Sequence, residues 1–284
     1  MSIRYPIICP AKDISIKEVW NVENRIEACL RELKQKNEKA FITYITAGLP
    51  DMDKTAQIIK AQESTDIIEL GIPFSDPIAD GPVIQQASYE AIQAGSSLQK
   101  GFELMKRLRS EGVKKPIVFM LYYNTVVGCG LEKFVTECRE SGVDGLIIPD
   151  LPLEEQEEIK EALKGDDTTI LIELVSPVSK DRIPEILKDA RGFVYCVSSM
   201  GVTGQDGSFH REVINYLTDV KKQSKIPVMM GFGIKTADDV RPMKDIIDGA
   251  IVGSHFIKLM RASGFDPKEA KRYSDEFKTE LNSL

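Results

Sequence analysis

The stretch IIELGIPFSDPIADGP, residues Ile67 to Pro82, holds two acids in surroundings that could make them reactive. Glu69 lies among Ile68, Leu70 and Ile72. Loss of hydration there raises a carboxyl pKa and lets one group both give and take a proton near neutrality. Asp80 follows on a loop that Pro73 and Pro77 keep out of regular structure, just ahead of a helix-like run. A third acid, Asp150, closes the apolar run IIPD. Taken singly, each reads as a helix cap or half of an ion pair; their shared position at strand ends is what points to acid–base work.

A second constellation is rich in glycine: GVTGQ (Gly201 to Gln205), MGFGIKT (with Gly231 and Gly233) and VGSHF (with Gly253 and Ser254). Glycine permits close backbone approach, and Gly253-Ser254 is expected to open the last helix, where free N–H groups and the helix dipole favour a phosphate. The alternative is turn glycine alone. Other chemistries fit poorly. The two histidines, His210 and His255, lack the H-E-x-x-H spacing of a metal site, so no catalytic metal is expected. No G-x-S-x-G elbow, Walker loop or G-x-G-x-x-G fingerprint occurs. Gly128-Cys129-Gly130 reads as a loop before a helix, and Cys196 as a core thiol.

Groups at strand ends need strands, and eight apolar, β-branched runs supply them: Ala40 to Ala47, Asp66 to Leu70, Pro116 to Tyr122, Asp144 to Pro149, Thr169 to Leu174, Gly192 to Val197, Ile226 to Phe232 and Gly249 to Ser254. They are apolar almost throughout, as expected of parallel strands covered on both faces. Helical segments alternate with them, among them MDKTAQIIKAQES and LEKFVTECRES, and the second unit carries two, Pro82 to Ala94 and Leu98 to Ser110. The charged run Glu154 to Lys164 reads as the solvated face of the fourth helix. Eight such units predict an α/β fold, a (β/α)8 TIM barrel in a single domain over 1–284, whose active site lies at the carboxyl ends of the strands. Asn21 to Lys36 predicts an additional amphipathic helix, with Ile26, Leu30 and Leu33 on one face to close the barrel floor; residues 1–20 form an N-terminal extension.

Composition narrows the partners. A net charge of −7, from 37 basic and 44 acidic side chains, argues against a broad nucleic-acid face. No apolar run approaches the ~20 residues that cross a bilayer. The start, MSIRYPIICPAKD, lacks the apolar core and cleavage site of an export signal. Five scattered cysteines without a C-x-x-C pair suit a reducing cytoplasm.

Taken together, FITYITAGLPD, IELGIPFSDPIADGP, YYNTV, IIPDLPLEE, VSSMGVTG and GFGIKT closely resemble the tryptophan synthase alpha subunit family, from about Ala40 to Lys258. The resemblance implies cleavage of indole-3-glycerol phosphate to indole and glyceraldehyde 3-phosphate, with no cofactor in this subunit and pyridoxal phosphate in a beta subunit of an αββα assembly. It implies Glu69 as proton shuttle, Asp80 as acceptor of the indole N–H, and Tyr195 as a positioning tyrosine. Tyr44, Met120, Tyr122 and Ile147 would line the indole pocket, each with core packing as the alternative. Thr203 would belong to a lid, and Gly204, Gly231, Phe232, Gly233, Gly253 and Ser254 to the phosphate end. Pro73, Asp76 and Pro152 would face the partner. The chain departs from the family pattern in its longer N-terminal extension and in His255, where the family often has a small residue. A free-standing lyase, a mainly allosteric binding subunit and a sugar-phosphate isomerase remain as rival readings.

Overall fold

The structure, a computed structural model, describes residues 23–165, 167–197, 207–231 and 233–284. Nine strand segments form one parallel sheet: β1 (Ala40–Thr46), β2 (Ile67–Gly71), β3 (Ile117–Met120), β4 (Gly145–Ile147), β5 (Ile170–Leu171), β6 (Glu173–Val175), β7 (Val194–Val197), β8 (Val228–Gly231) and β9 (Gly249–Val252). Their order is β5-β4-β3-β2-β1-β9-β8-β7-β6. The segments at the two ends are halves of one expected strand, split at Ile172, so the sheet comes round on itself there. β5 pairs with β4 and β6 with β7, while the Ile172 N–H still reaches the Leu146 carbonyl at 2.9 Å. This is the expected TIM barrel, with its fifth strand interrupted rather than a ninth added.

The apolar runs conceal a two-sided division. Ile42, Ile67, Val118, Ile147, Ile170, Phe193, Met229 and Ile251 point inward and pack as one cluster. Their neighbours Phe41, Ile68, Ile117, Phe119, Leu146, Val194 and Ala250 pack outward against the helices. Ile26, Leu30 and Leu33 of the helix Arg25–Lys36 join the inner cluster, which makes that helix the barrel floor. Asn24 anchors it: its side chain accepts from the Ile26 N–H at 2.8 Å and donates to the carbonyls of Asp144 and Thr168, both at 2.8 Å.

Three aspartates just ahead of strands tie the floor together. Asp66 accepts from the Phe41 N–H and from Lys278, at 2.7 and 2.8 Å. Asp144 accepts from the Ile117 N–H, Arg25 and Arg109, at 2.7, 2.7 and 2.6 Å. Asp248 accepts from the Val228 N–H and Lys221, both at 2.7 Å. Each staples a neighbouring strand and meets a cation, which offsets the cost of burying the charge.

Some boundaries differ from expectation. The third strand stops at Met120, and Tyr123–Cys129 is a helix, so Gly128 and Cys129 are helical and not loop. Only Gly130, at φ 86°, is the joint to the helix Leu131–Ser141. The helix opened by Gly253 and Ser254 is not the last, since Pro267–Asn282 follows it. Of the charged run after β4, Glu157–Leu163 is helical, and Gln156 is buried.

Candidate active site

Barrel geometry sends alternate side chains inward, and in the layer above the apolar floor cluster these include Tyr44, Glu69, Met120 and Tyr195. Tyr44 and Glu69 are direct partners in the β1–β2 register. Two glycines one layer higher make room for the large rings. A Cβ on Gly71 would lie 2.1 Å from the Tyr44 hydroxyl, and one on Gly231 would lie 2.6 Å from the Tyr195 ring. Any other residue at either position would push a tyrosine out of the pocket.

Glu69 is 1 % exposed, and among the described residues its Oε2 has no hydrogen-bond partner. Burial, reinforced by the neighbouring Asp80 charge, pushes its pKa up to about 8, while the Tyr195 hydroxyl, in hydrogen-bonding range, eases the shift. Asp80 is pushed up to about 6 by burial, against a hydrogen bond from the Tyr122 hydroxyl to Oδ2 at 3.0 Å. That hydroxyl also accepts from the Ala79 N–H at 3.0 Å, and its ring stacks on Phe74 with centroids 5.1 Å apart. Tyr122 thus fixes the loop carrying Asp80. At neutral pH the deeper acid holds a proton and the outer one is mostly ionised, a division of states that suits general acid and electrostatic partner.

The remaining expected residues distribute around this pair. Met120 is half-buried at the end of β3; Ile147 is buried in the floor cluster below it. Gly231 ends β8 and Gly233 follows with φ 65°. Gly253 caps the helix Ser254–Ala262, whose first turn has N–H groups without intrahelical acceptors, as a phosphate would require. Thr203, Gly204 and Phe232 lie outside the described residues. Pro73 is buried, whereas Asp76 and Pro152 are exposed on the loops after β2 and β4. Asp150 accepts from the Tyr123 N–H at 2.9 Å and so secures the helix after β3. His255 tilts against the Tyr273 ring, centroids 5.7 Å apart. The Asp80 clamp by Tyr122 and the Tyr44–Glu69 pairing were not visible in sequence, since both depend on register between separate strands.

Among the described residues, no group of three or more His, Cys, Asp or Glu could hold a metal, and no helix is long and apolar enough to cross a membrane. A cavity of about 940 Å³ lies at the opposite end of the barrel, under the floor helix. Its polar lining includes Lys39, Lys221, Lys244 and Asp248. Lys221 is spent on Asp248, and Lys39 and Lys244 on backbone carbonyls, which leaves them little to offer a reacting molecule.

The family model for the tryptophan synthase alpha chain matches residues 30–283. The tryptophan synthase alpha chain of Lachnospira eligens is 62 % identical over 263 residues, spanning 92 % of this chain and 100 % of its own. That of Alkaliphilus metalliredigens is 46 % identical over 253 residues, spanning 88 % and 94 %. Among solved structures, tryptophan synthase subunit alpha from Legionella pneumophila superposes with a TM-score of 0.84 at 30 % identity, covering 93 % of this chain and 100 % of that one. A chain of the tryptophan synthase complex from Pyrococcus furiosus superposes with a TM-score of 0.75 at 32 % identity, covering 87 % and 99 %. With the family model spanning nearly its whole length and relatives this similar, the chain belongs to the tryptophan synthase alpha chain family.

Proposed function

We propose that the pocket at the carboxyl end of this barrel cleaves indole-3-glycerol phosphate to indole and glyceraldehyde 3-phosphate, with Glu69 and Asp80 as its working acids. The observation that carries the reading is a fully buried carboxyl, Glu69, placed near enough to half-buried Asp80 to feel its charge, with the Asp80 carboxyl held by the Tyr122 hydroxyl. Protonated Glu69 delivers its proton to indole C3, which breaks the ring's aromaticity. Asp80, ionised, accepts the indole N–H and stabilises the resulting cation. The Glu69 carboxylate then takes the proton of the adjacent glycerol hydroxyl as the C–C bond breaks. The bonding electrons restore the indole, and the hydroxyl-bearing carbon becomes the aldehyde. Glu69 ends the cycle protonated, as it began, so no cofactor is needed for proton balance.

Tyr195 orients Glu69, Tyr122 orients Asp80, and Tyr44, Met120 and Ile147 offer the indole an apolar wall. Gly231, Gly233, Gly253 and Ser254, together with Gly204 and Phe232, would receive the phosphate, and Thr203 would close over the substrate. A beta subunit carrying pyridoxal phosphate would take the indole within an αββα assembly in the cytoplasm. Exposed Asp76 and Pro152 on two loops at the pocket rim, with Ile78 84 % exposed beside Asp76, support a docking face there, and buried Pro73 would shape the first loop from within. The test is indole release from indole-3-glycerol phosphate with and without a beta subunit. Release that rises when the beta subunit is added is expected. Tryptophan formation from added indole without any cleavage would favour the purely allosteric reading instead.

A further inference from the structure

One buried hydroxyl in the pocket has no task in this scheme. Tyr44 is 4 % exposed, faces Glu69 across the β1–β2 register, and carries its hydroxyl over Gly71, the next inward position above Glu69 on the same strand. Its hydroxyl oxygen accepts from Thr46 Oγ1 at 3.3 Å. A phenol that accepts one hydrogen bond still has its own proton to give. Across from it, Glu69 Oε2 is a buried acceptor that no donor among the described residues reaches. The donor and the acceptor thus sit on register-paired residues of neighbouring strands, both buried, where an unmet hydrogen bond is costly.

We propose that Tyr44 is a positioning residue whose hydroxyl proton, kept free by Thr46, is given to Oε2 of Glu69 whenever Glu69 is ionised between its two proton transfers. The inference rests on Glu69 acting as the proton shuttle. Tyr195, on the far side of the barrel, steadies the carboxylate from one direction, and Tyr44 steadies it from the other. The titratable groups acting on Glu69 are then Tyr44 from β1, Tyr195 from β7 and Asp80 from the loop after β2, with Tyr122 behind Asp80. Burial above all, with the nearby Asp80 and Glu69 charges, holds the Tyr44 proton firmly in place. Without it, the carboxylate state would cost more, and Glu69 would keep its proton to higher pH.

The test is Tyr44→Phe, which preserves the ring against Gly71, alongside Thr46→Ser, which preserves the donor to the Tyr44 oxygen. In Tyr44→Phe, kcat for indole release should fall about tenfold with KM little changed, and the limb of the kcat profile that follows Glu69 should move up by about one pH unit. Thr46→Ser should match the parent protein. The same upward displacement should appear in the infrared carboxyl band of Glu69, identified by its absence in Glu69→Gln, which reads the group without turnover. An unchanged profile or unchanged band in Tyr44→Phe overturns the assignment. Failure of the parent protein to release indole would instead overturn the proposed reaction and leave the infrared comparison to decide the role of Tyr44.

Discussion

At the amino-terminal end of the barrel, Asp66, Asp144 and Asp248 each accept a strand N–H and meet a lysine or arginine. At the carboxyl end, Glu69 and Asp80 meet tyrosine hydroxyls and each other. Each set has one fully buried member, Asp144 and Glu69, with the others half-buried, yet the first set is neutralised by its neighbours and the second is not. The difference divides labour along the barrel axis. Charges that are paired on folding hold strands in register, while charges left unpaired keep the proton affinity that chemistry uses. A family of barrels with active sites at one end and stability at the other follows this division.

Substitutions that erase charge should therefore act in opposite directions at the two ends. Glu69→Gln should show the largest effect, a loss of about 10²–10⁴ in indole release with the phosphate-bearing substrate still bound, as measured by turnover beside equilibrium binding. Asp144→Asn, which leaves Arg109 and Arg25 without their anion, should destabilise the fold by about 3–5 kcal/mol in urea unfolding. An equal loss of stability from Glu69→Gln would erase the contrast.

The opposite sign is expected there. Glu69 keeps its proton to about pH 8 in the folded protein, against 4.5 for an ordinary glutamate, so folding takes up a proton across that window. Stability from this group is fully present below about pH 4.5 and falls as the pH climbs to about 8. Glu69→Gln should then be more stable than the parent at pH 8 by about 2–4 kcal/mol and equal to it in acid, as thermal melts across pH would show. The smallest effect belongs to Tyr122→Phe. Removing the donor to Asp80 Oδ2 should raise the Asp80 pKa and lower kcat about tenfold at pH 6, less at pH 8, in a pH–rate comparison.

The sequence makes one end of this comparison legible and hides the other. Glu69 stands out because an acid inside an apolar strand run is conspicuous, and Asp80 because it sits in a proline-bounded loop. The aspartates of the floor are written as DIIEL, DGLIIP and DGAIV, where each opens a strand and looks like turn punctuation. Their repetition before three strands was the available signal. What pairs them, such as Lys278 with Asp66, lies 212 residues away and is set by closure of the barrel. The helix Tyr123–Cys129 was hidden for a similar reason. Its β-branched Val126 and Val127 favour strand over helix, and the group holding its first turn, Asp150, comes from the next strand end. The break at Ile172 is likewise a matter of pairing, since the run TILIEL is uniformly suited to a strand.

The pocket walls show the same limit. Periodicity placed Tyr44 and Tyr195 in strands, but only the register shows that Gly71 and Gly231 are the vacancies their rings fill. Gly231, Gly233 and Gly253-Ser254 were legible as glycine-rich strand ends, but only the structure shows that Gly231 is the one of them crowded by a side chain, the Tyr195 ring.

The most direct measurement is a ¹³C-NMR titration of the Glu69 carboxyl carbon in the ligand-free protein, assigned by its loss in Glu69→Gln. The unpaired, desolvated environment predicts a midpoint near pH 8. A carboxylate already ionised at pH 5, like a solvated or cation-paired glutamate, would contradict the division between the two ends of the barrel and with it the role assigned to this acid.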